Sequence, residues 1–215
     1  MTGPHLVYVA DPMCSWCWGF SPVIAGIRAR FGDALPIRLV MGGLRPGTTR
    51  PLDEAGKATI RGHWEHVRAA TGQPFDPAFF AREGFVYDTE PAAMAVVAVR
   101  RQGMDLALDY LEALHRAFYA ENRDVTDPTV LADLAEAAGI ARGGFLAALG
   151  EEALREETWS DVATAQGAGI RGFPTLLAGA GPGQPYGIVT RGYQPPDRII
   201  TTLVTWLAQA AGGEA

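Results

Sequence analysis

The sequence has few cysteines, a single lysine and no long hydrophobic segment. Its 215 residues include two cysteines, whereas a small secreted disulfide scaffold carries many more over a shorter chain. No stretch approaches about 20 uninterrupted apolar residues, so we do not expect a membrane-spanning helix. The net charge is −6, which argues against a broad nucleic-acid-binding face. We therefore expect a globular protein of one or two domains, with neither nucleic acid nor a membrane as its partner.

The N-terminal segment has little that would direct export. It contains no basic n-region, no long apolar h-region and no small-residue cleavage site. We therefore expect a cytoplasmic protein. In a reducing compartment, a lone Cys-x-x-Cys pair is more often catalytic or metal-binding than a structural cross-link.

Hydrophobic periodicity predicts an α/β protein with three successive parts. Residues 5–10 and 36–41 read as short strands on either side of a helix over 14–31, which suits a parallel β-α-β unit. Helices only are predicted from about residue 52 to 166, including a short helix from Asp76-Pro77 to Gly84 and a further helical stretch over roughly 144–166. A β-hairpin of strands 175–178 and 188–191 then precedes a terminal helix over 196–211. The helical stripes predict that Trp64, Trp159 and Trp206 are core residues.

Cys14 and Cys17 lie where the first predicted strand is followed by the first predicted helix. Their spacing is one helical turn, which brings the Cα atoms into the range of about 4.4–6.8 Å found in disulfides. The start of a helix favours an anion, so we expect Cys14 to be an exposed thiolate. Cys17 lies a turn further in and is expected to be covered and protonated. Thiol–disulfide exchange needs this asymmetry, because one thiolate attacks and a second thiol resolves the mixed disulfide.

Three segments of the sequence match a known family: Asp11-Pro12-Met13-Cys14-Ser15-Trp16-Cys17-Trp18-Gly19-Phe20, Gly42-Gly43-Leu44-Arg45-Pro46-Gly47 and Gly172-Phe173-Pro174. Through them the chain resembles the DsbA-like thioredoxin-fold family over nearly its whole length, and in particular bacterial members described as protein disulfide isomerases. The resemblance implies an α/β thioredoxin-like fold with an inserted all-helical domain. The thioredoxin-like domain would be discontinuous, comprising residues 1–50 and 167–215, with the helical insertion at 51–166.

The resemblance also implies the roles of individual residues. Cys14 would be the nucleophile, Cys17 the resolving thiol, and Pro174 a cis-proline that faces them and helps to hold an extended substrate. The implied partners are protein or peptide thiols and disulfides together with an unidentified redox partner, and no metal, nucleotide or organic cofactor is needed. The residues expected to contact substrate are Met13, Trp16, Phe173 and Thr175.

The sequence departs from the periplasmic members in two ways. Those proteins have a histidine between the cysteines, whereas this chain has Ser15-Trp16. Asp11 lies close in sequence and would oppose a thiolate on Cys14 if it pointed toward it. We therefore expect a less oxidising site, suited to reductase or isomerase work. A measured potential near −120 mV, that of a strong oxidant, would contradict this expectation.

Two other interpretations of the cysteine pair stay open at this stage. Free cysteines are often inert and buried. A zinc site could combine Cys14 and Cys17 with His63 and His66, although two residues between the histidines is tighter than the usual three to five. We interpret His63 and His66 as surface or half-buried helix residues.

Other functions of the same fold also stay open. Kappa-class glutathione transferases and chromene-carboxylate isomerases resemble it, but they typically have serine in place of the first cysteine. A non-catalytic binding module is a third possibility, and it would keep its cellular effect when Cys14 is changed to serine. The loop at 42–47 could line the cleft or be a plain turn.

Overall fold

The computed structural model describes residues 3–212, so residues 1–2 and 213–215 of the predicted thioredoxin-like domain lie outside the described residues. The structure contains four strands within the described residues: β1 (His5–Ala10), β2 (Ile37–Met41), β3 (Thr175–Gly179) and β4 (Gly187–Arg191). They form one mixed sheet in the order β2-β1-β3-β4. The pair β1 and β2 is parallel, whereas β3 is antiparallel to both of its neighbours, β1 and β4. The predicted β-α-β unit and C-terminal hairpin are thereby confirmed.

Eight α-helices accompany the sheet within the described residues. Helix α1 (Ser15–Phe31) joins β1 to β2, and α8 (Pro196–Gly212) follows β4. Two 3-10 helices cover Gly32–Ala34 and Pro77–Ala81. The remaining helices follow one another between β2 and β3: α2 (Glu54–Thr71), α3 (Glu90–Arg100), α4 (Met104–Tyr119), α5 (Pro128–Ala137), α6 (Arg142–Leu149) and α7 (Glu152–Gly167).

Short polar residues and glycines fix where these helices begin and end. The carboxylate of Asp53 accepts a hydrogen bond from the Gly56 N–H and caps α2, which ends at Gly72 in the left-handed region with φ 74°. Asp127 caps α5 in the same way through the Thr129 N–H. These signals are visible in the sequence, which is why most predicted helix bounds agree with the structure.

Three predictions about the helical part are wrong. The stretch 144–166 is two helices, because α6 ends at its C-cap Gly150 and α7 begins at Glu152. The segment after Asp76 forms a 3-10 helix of five residues rather than a longer helix to Gly84. Trp159 is 39% exposed and is therefore not a core residue, and its indole N–H donates to the largely buried carboxylate of Glu90 at 3.1 Å.

The hydrophobic core is continuous from the sheet into the helical part. Leu6 and Tyr8 on one face of the sheet belong to the same buried cluster as α1, α8 and most of α3 and α4. The other face of the sheet is smaller, and Val9 and Val40 pack there against Ala165 of α7. Treating residues 51–166 as a separate domain stays a proposal.

An aromatic cluster lies inside the helical part and ends beneath the first turn of α1. Trp64 is 3% exposed, which confirms it as a core residue, and its ring lies 4.9 Å from the ring of Phe79 between centroids. Tyr87 continues the cluster, and its hydroxyl donates to the Met13 carbonyl at 2.7 Å. Trp206 is half-buried. Among residues 3–212, no helix is both long and apolar enough to cross a membrane.

Candidate active site

The turn between β1 and α1 places Cys14 directly before the helix. Cys14 is the N-cap residue of α1, with extended backbone angles of φ −97° and ψ 115°. Its N–H donates to the Asp11 carbonyl at 3.1 Å, and its own carbonyl accepts the first helical hydrogen bond, from the Trp18 N–H at 3.1 Å. The N–H groups of the first turn have no helical partner, so the start of α1 favours negative charge beside Cys14.

The two cysteines are both free thiols but differ in their surroundings. Cys17 is fully buried, and this burial, together with its hydrogen bond to Cys14, raises the pKa of the Cys17 thiol well above its usual value. Cys14 is only 6% exposed. The expectation of an openly exposed Cys14 is therefore wrong, because neighbouring loops cover its flanks and leave access through a cavity.

The segment before β3 passes directly over Cys14. The Phe173–Pro174 peptide bond is cis, as the family resemblance implies. The Cys14 Sγ donates to the Phe173 carbonyl at 3.6 Å. Pro174 is buried, and its carbonyl accepts from the Gly192 N–H at 2.7 Å. The fold thus brings Cys14 and Pro174, which lie far apart in sequence, to the two sides of one site.

Two of the predicted substrate contacts are partly accessible. Trp16 is half-buried, and its ring lies 6.0 Å from the ring of Tyr193 between centroids. Phe173 is also half-buried and packs against Gly42. Both side chains line the cavity that reaches Cys14.

The other two predicted contacts are covered. Met13 is fully buried, and its carbonyl already accepts the hydroxyl hydrogen of Tyr87. Thr175 is 2% exposed, and its hydroxyl donates to the Gly172 carbonyl at 2.8 Å. Both side chains therefore present almost no surface to solvent, although Met13 borders the cavity beside Cys14.

A buried carboxyl group lies beneath the turn. The Asp11 Oδ1 accepts from the Met13 N–H at 2.9 Å, and Oδ2 accepts from the Leu44 N–H at 2.8 Å. Burial raises the pKa of Asp11 to about 6, although these hydrogen bonds act in the opposite direction. The charge of Asp11 also raises the pKa of Cys17, so this carboxylate opposes ionisation of the buried thiol. Its expected effect on Cys14 stays a prediction.

His115 of α4 links the helical part of the chain to the same turn through a hydrogen bond. Its Nε2 donates to the Asp11 carbonyl at 3.1 Å, since a carbonyl can only accept. Its Nδ1 lies 3.3 Å from the Ser21 hydroxyl. Burial lowers the pKa of His115 to about 4, so the imidazole is neutral at neutral pH.

The cavity beside Cys14 has a volume of about 240 Å³. It lies between the turn before α1, the loop after β2, helix α2 and the segment before Pro174. The loop at 42–47 therefore does line the cleft. The lining residues are Met13, Cys14, Ser15, Trp16, Leu44, Arg45, Ile60, His63, Trp64, Tyr87, Arg171, Gly172 and Phe173.

Sequence reasoning missed several of these lining residues. Arg45 belongs to a segment that matches the family, but nothing in the sequence indicates that it lines the Cys14 cavity. His63 was assigned to the helix surface, and it is indeed exposed, yet it borders the cavity. Arg171 lies just before the predicted Gly-Phe-Pro segment, and nothing in the local pattern distinguished it.

The structure offers no additional support for a zinc site. His63 borders the Cys14 cavity, whereas His66 is not among the residues that line it. Among residues 3–212, no group of three or more His, Cys, Asp and Glu side chains is arranged to hold a metal ion.

Two solved structures are similar to this chain over almost its full length. A protein from Nitrosomonas europaea, described as a candidate protein disulfide isomerase, is 37% identical with a TM-score of 0.89, and the match covers 96% of this chain and 98% of that one. The cytosolic disulfide reductase DsbM from Pseudomonas aeruginosa is 27% identical with a TM-score of 0.77, covering 95% and 99%. DsbM also has a solved structure with GSH.

Curated relatives have a different described role. The ClpXP adapter protein SpxH from Shouchella clausii is 25% identical over 171 residues, which are 78% of this chain. The chain spans between 44% and 57% of the length of the curated relatives it matches.

A family model describes most of the chain. The model of the DSBA-like thioredoxin domain matches residues 5–200. That range includes both cysteines, Pro174 and the whole helical part. The chain therefore belongs to the DsbA-like thioredoxin family.

Proposed function

We propose that this protein is a thiol–disulfide oxidoreductase that reduces or rearranges disulfides of protein or peptide substrates. One observation supports the proposal most strongly. The Cys14 sulfur lies at the start of α1, 3.6 Å from the carbonyl of Phe173 next to the cis Pro174, while Cys17 is fully buried behind it. The Cys14 sulfur would meet the substrate first, whereas the buried Cys17 sulfur would react in a later step.

The chemistry follows from this division between the sulfurs. The Cys14 thiolate attacks one sulfur of a substrate disulfide, a Cys14–substrate disulfide forms, and the other substrate sulfur leaves as a thiolate that takes a proton from solvent. Cys17 then attacks the Cys14 sulfur, and the proton it loses is taken up by the substrate sulfur that departs. This step forms the Cys14–Cys17 disulfide and releases the second substrate thiol. Two electrons pass from the cysteine pair to the substrate, and the reverse direction oxidises a dithiol.

Burial of Cys17 serves this sequence of steps. Its raised pKa keeps it protonated, and therefore a poor nucleophile, while the mixed disulfide forms. Substrate would lie along the Phe173–Pro174 segment, with Trp16 and Phe173 as apolar contacts. Met13 and Thr175 would contribute by holding that segment and the turn in place.

The relatives favour the reducing direction. DsbM is described as a cytosolic disulfide reductase, which supports a reductase that works in the cytoplasm. Its solved structure with GSH supports glutathione as the redox partner of this chain. The absence of a histidine between the cysteines agrees with a weakly oxidising site.

Insulin disulfide reduction tests the proposal with three proteins. We expect the wild type to reduce insulin with a thiol donor and Cys14→Ser to have no activity above background. Cys17→Ser should lose turnover but accumulate a mixed disulfide at Cys14, visible by mass spectrometry. Circular dichroism would check that both variants are folded. Equal activity of all three proteins would refute the proposal.

A second candidate is an adapter without catalysis, which the described role of the SpxH relatives favours. It predicts that Cys14→Ser leaves the cellular effect intact, whereas the oxidoreductase predicts that the effect is lost. A glutathione-dependent transferase or small-molecule isomerase is less favoured, because the resembling enzymes typically have serine where this chain has Cys14. Conjugation of GSH to an electrophile by Cys17→Ser would support that alternative.

A further inference from the structure

The ionisable side chains around Cys14 have an unusual balance of charge. The chain has 24 acidic and 18 basic residues. Nevertheless, the charged or basic side chains that line the Cys14 cavity are Arg45, His63 and Arg171, and no acidic residue lines it. The lining of this cavity is therefore opposite in sign to the molecule as a whole, while the Asp11 carboxyl is buried beneath the turn and outside the lining.

The same sign continues past the cis-proline segment. A groove beyond Phe173 is lined by Arg171 and Arg191, again without an acidic residue. Arg171 borders both spaces. The cationic surface thus extends along both sides of the segment that would hold a substrate.

These arginines are not used to hold the fold together by ion pairs. Elsewhere, eight of the 17 arginines form ion pairs, as Arg100 does with Asp161. Within residues 3–212, neither Arg45 nor Arg171 lies within 4.0 Å of a carboxylate. The Arg45 guanidinium lies over the Tyr87 ring, 5.2 Å from its centroid, which orients the group and leaves its hydrogen-bond donors available.

We propose that this site selects disulfides that carry carboxylates close to their sulfur atoms, with Arg45 and Arg171 as the specificity-determining residues. The inference rests on the proposed thiol–disulfide exchange at Cys14. A guanidinium forms charge-assisted hydrogen bonds with a carboxylate, and the exposed side chains of Arg45 and Arg171 are free to reach one. The cavity of about 240 Å³ has room for a small molecule or for one or two side chains of a peptide.

The same cations help at two stages of one turnover. They attract the anionic disulfide during encounter. When the Cys14 thiolate attacks, the substrate S–S bond breaks and one substrate sulfur leaves with the electron pair as a thiolate. Positive charge beside this leaving group stabilises it until it is protonated by solvent.

A charge series of small disulfides tests the proposal. The reduced wild type would be mixed with dithiodipropionate, hydroxyethyl disulfide or cystamine, which are dianionic, neutral and dicationic. Stopped-flow fluorescence would follow the reaction of Cys14 in the wild type, and mass spectrometry would identify the mixed disulfide that accumulates in Cys17→Ser. We expect the dianion to react at least about tenfold faster than the dication at low salt, and the ratio to shrink as salt is added.

Matched substitutions locate the origin of the preference. Arg45→Gln and Arg171→Gln should each reduce the ratio of dianion to dication rates by about threefold or more. Arg38→Gln makes the same change in net charge at β2, outside the cavity, and should leave the ratio unchanged. Equal reductions by all three variants would overturn the assignment to Arg45 and Arg171.

The outcome also separates this proposal from the proposed function. If hydroxyethyl disulfide reacts at Cys14 but the dianion and dication react equally fast, the oxidoreductase stands and the charge selection is refuted. If no disulfide reacts, both are refuted. A second arm compares an acidic peptide disulfide with its lysine-containing counterpart. If the ratio of anionic to cationic rates is larger for the small disulfides, the carboxylate is supplied by small molecules, and if it is larger for the peptides, it is supplied by peptides. Equal rates for anionic and cationic disulfides in both series would overturn the proposal.

Discussion

At the scale of single residues, the site depends on two buried ionisable residues, Asp11 and His115, which are joined by a hydrogen bond from the imidazole to the main-chain carbonyl of Asp11. Asp11 is a carboxyl group held away from water, and His115 is an imidazole in the same position. Burial shifts the pKa of Asp11 upward to about 6 and that of His115 downward to about 4. Both shifts favour the neutral form, so each group makes the stability of the protein depend on pH.

The pH dependence of stability due to Asp11 has the opposite sign to that due to His115 over the same pH range. The contribution of Asp11 to the free energy of unfolding is fully present below its usual pKa of about 3.8 and is lost as the pH rises toward 6. The contribution of His115 is fully present above its usual pKa of about 6.5 and is lost as the pH falls toward 4. Each pKa shift changes the free energy of unfolding by about 3 kcal/mol across its pH range, so the two changes largely offset one another in the wild type.

Single substitutions should therefore expose each dependence separately. We expect the free energy of unfolding of Asp11→Asn to fall, relative to the wild type, between about pH 6.5 and 4. That of His115→Gln should rise over the same range. Urea unfolding at several pH values measures both, with exposed Asp33→Asn as the control. Profiles of both variants parallel to the wild type would contradict this assignment.

At the scale of elements, the end of β2 and the segment before β3 are fitted closely against each other. A Cβ atom added to Gly42 would overlap the ring of Phe173. We expect Gly42→Ala to displace Phe173, to cost about 1–3 kcal/mol of stability and to slow disulfide exchange at Cys14. Denaturant unfolding and insulin reduction measure these two effects.

A glycine elsewhere in the fold provides the control. A Cβ added to Gly26 in α1 would meet no atom within 4 Å. Gly26→Ala should therefore raise stability by about 0.5–1 kcal/mol, because alanine favours a helix interior. A loss of activity as large as that of Gly42→Ala would show that the effect does not arise from contact with Phe173.

The elements that could be predicted from the sequence are those marked by a pattern of a few neighbouring residues. Asp127-Pro128 marks the start of α5, and the short β-branched runs mark β1 and β2, because caps, proline and alternation act over a few residues. The break at Gly150 was missed because apolar residues continue at helical spacing on both sides of it. Arg45, His63 and Arg171 come from three separate segments, and only tertiary packing brings them to one cavity.

At the scale of the whole molecule, the sheet and the helical part share one core. Residues from β1, α1, α4 and α8 belong to a single buried cluster, and Tyr87 of the helical part donates to the carbonyl of Met13. We therefore expect the molecule to unfold in one cooperative step. Far-UV circular dichroism and the exposure of Cys17 to a thiol reagent should give the same denaturant midpoint. Two separated transitions would instead show that residues 51–166 unfold as an independent domain.

The central claim is that the two sulfurs of one motif have different chemical roles. Alkylation of the reduced protein with a limiting amount of iodoacetamide at neutral pH, followed by peptide mass spectrometry, tests it most directly. A difference of one pKa unit alone changes the thiolate fraction about tenfold, and burial adds to it. We predict that Cys14 is modified at least about tenfold faster than Cys17, and that Cys17 reacts readily only after denaturation. Equal rates, or faster modification of Cys17, would contradict the account.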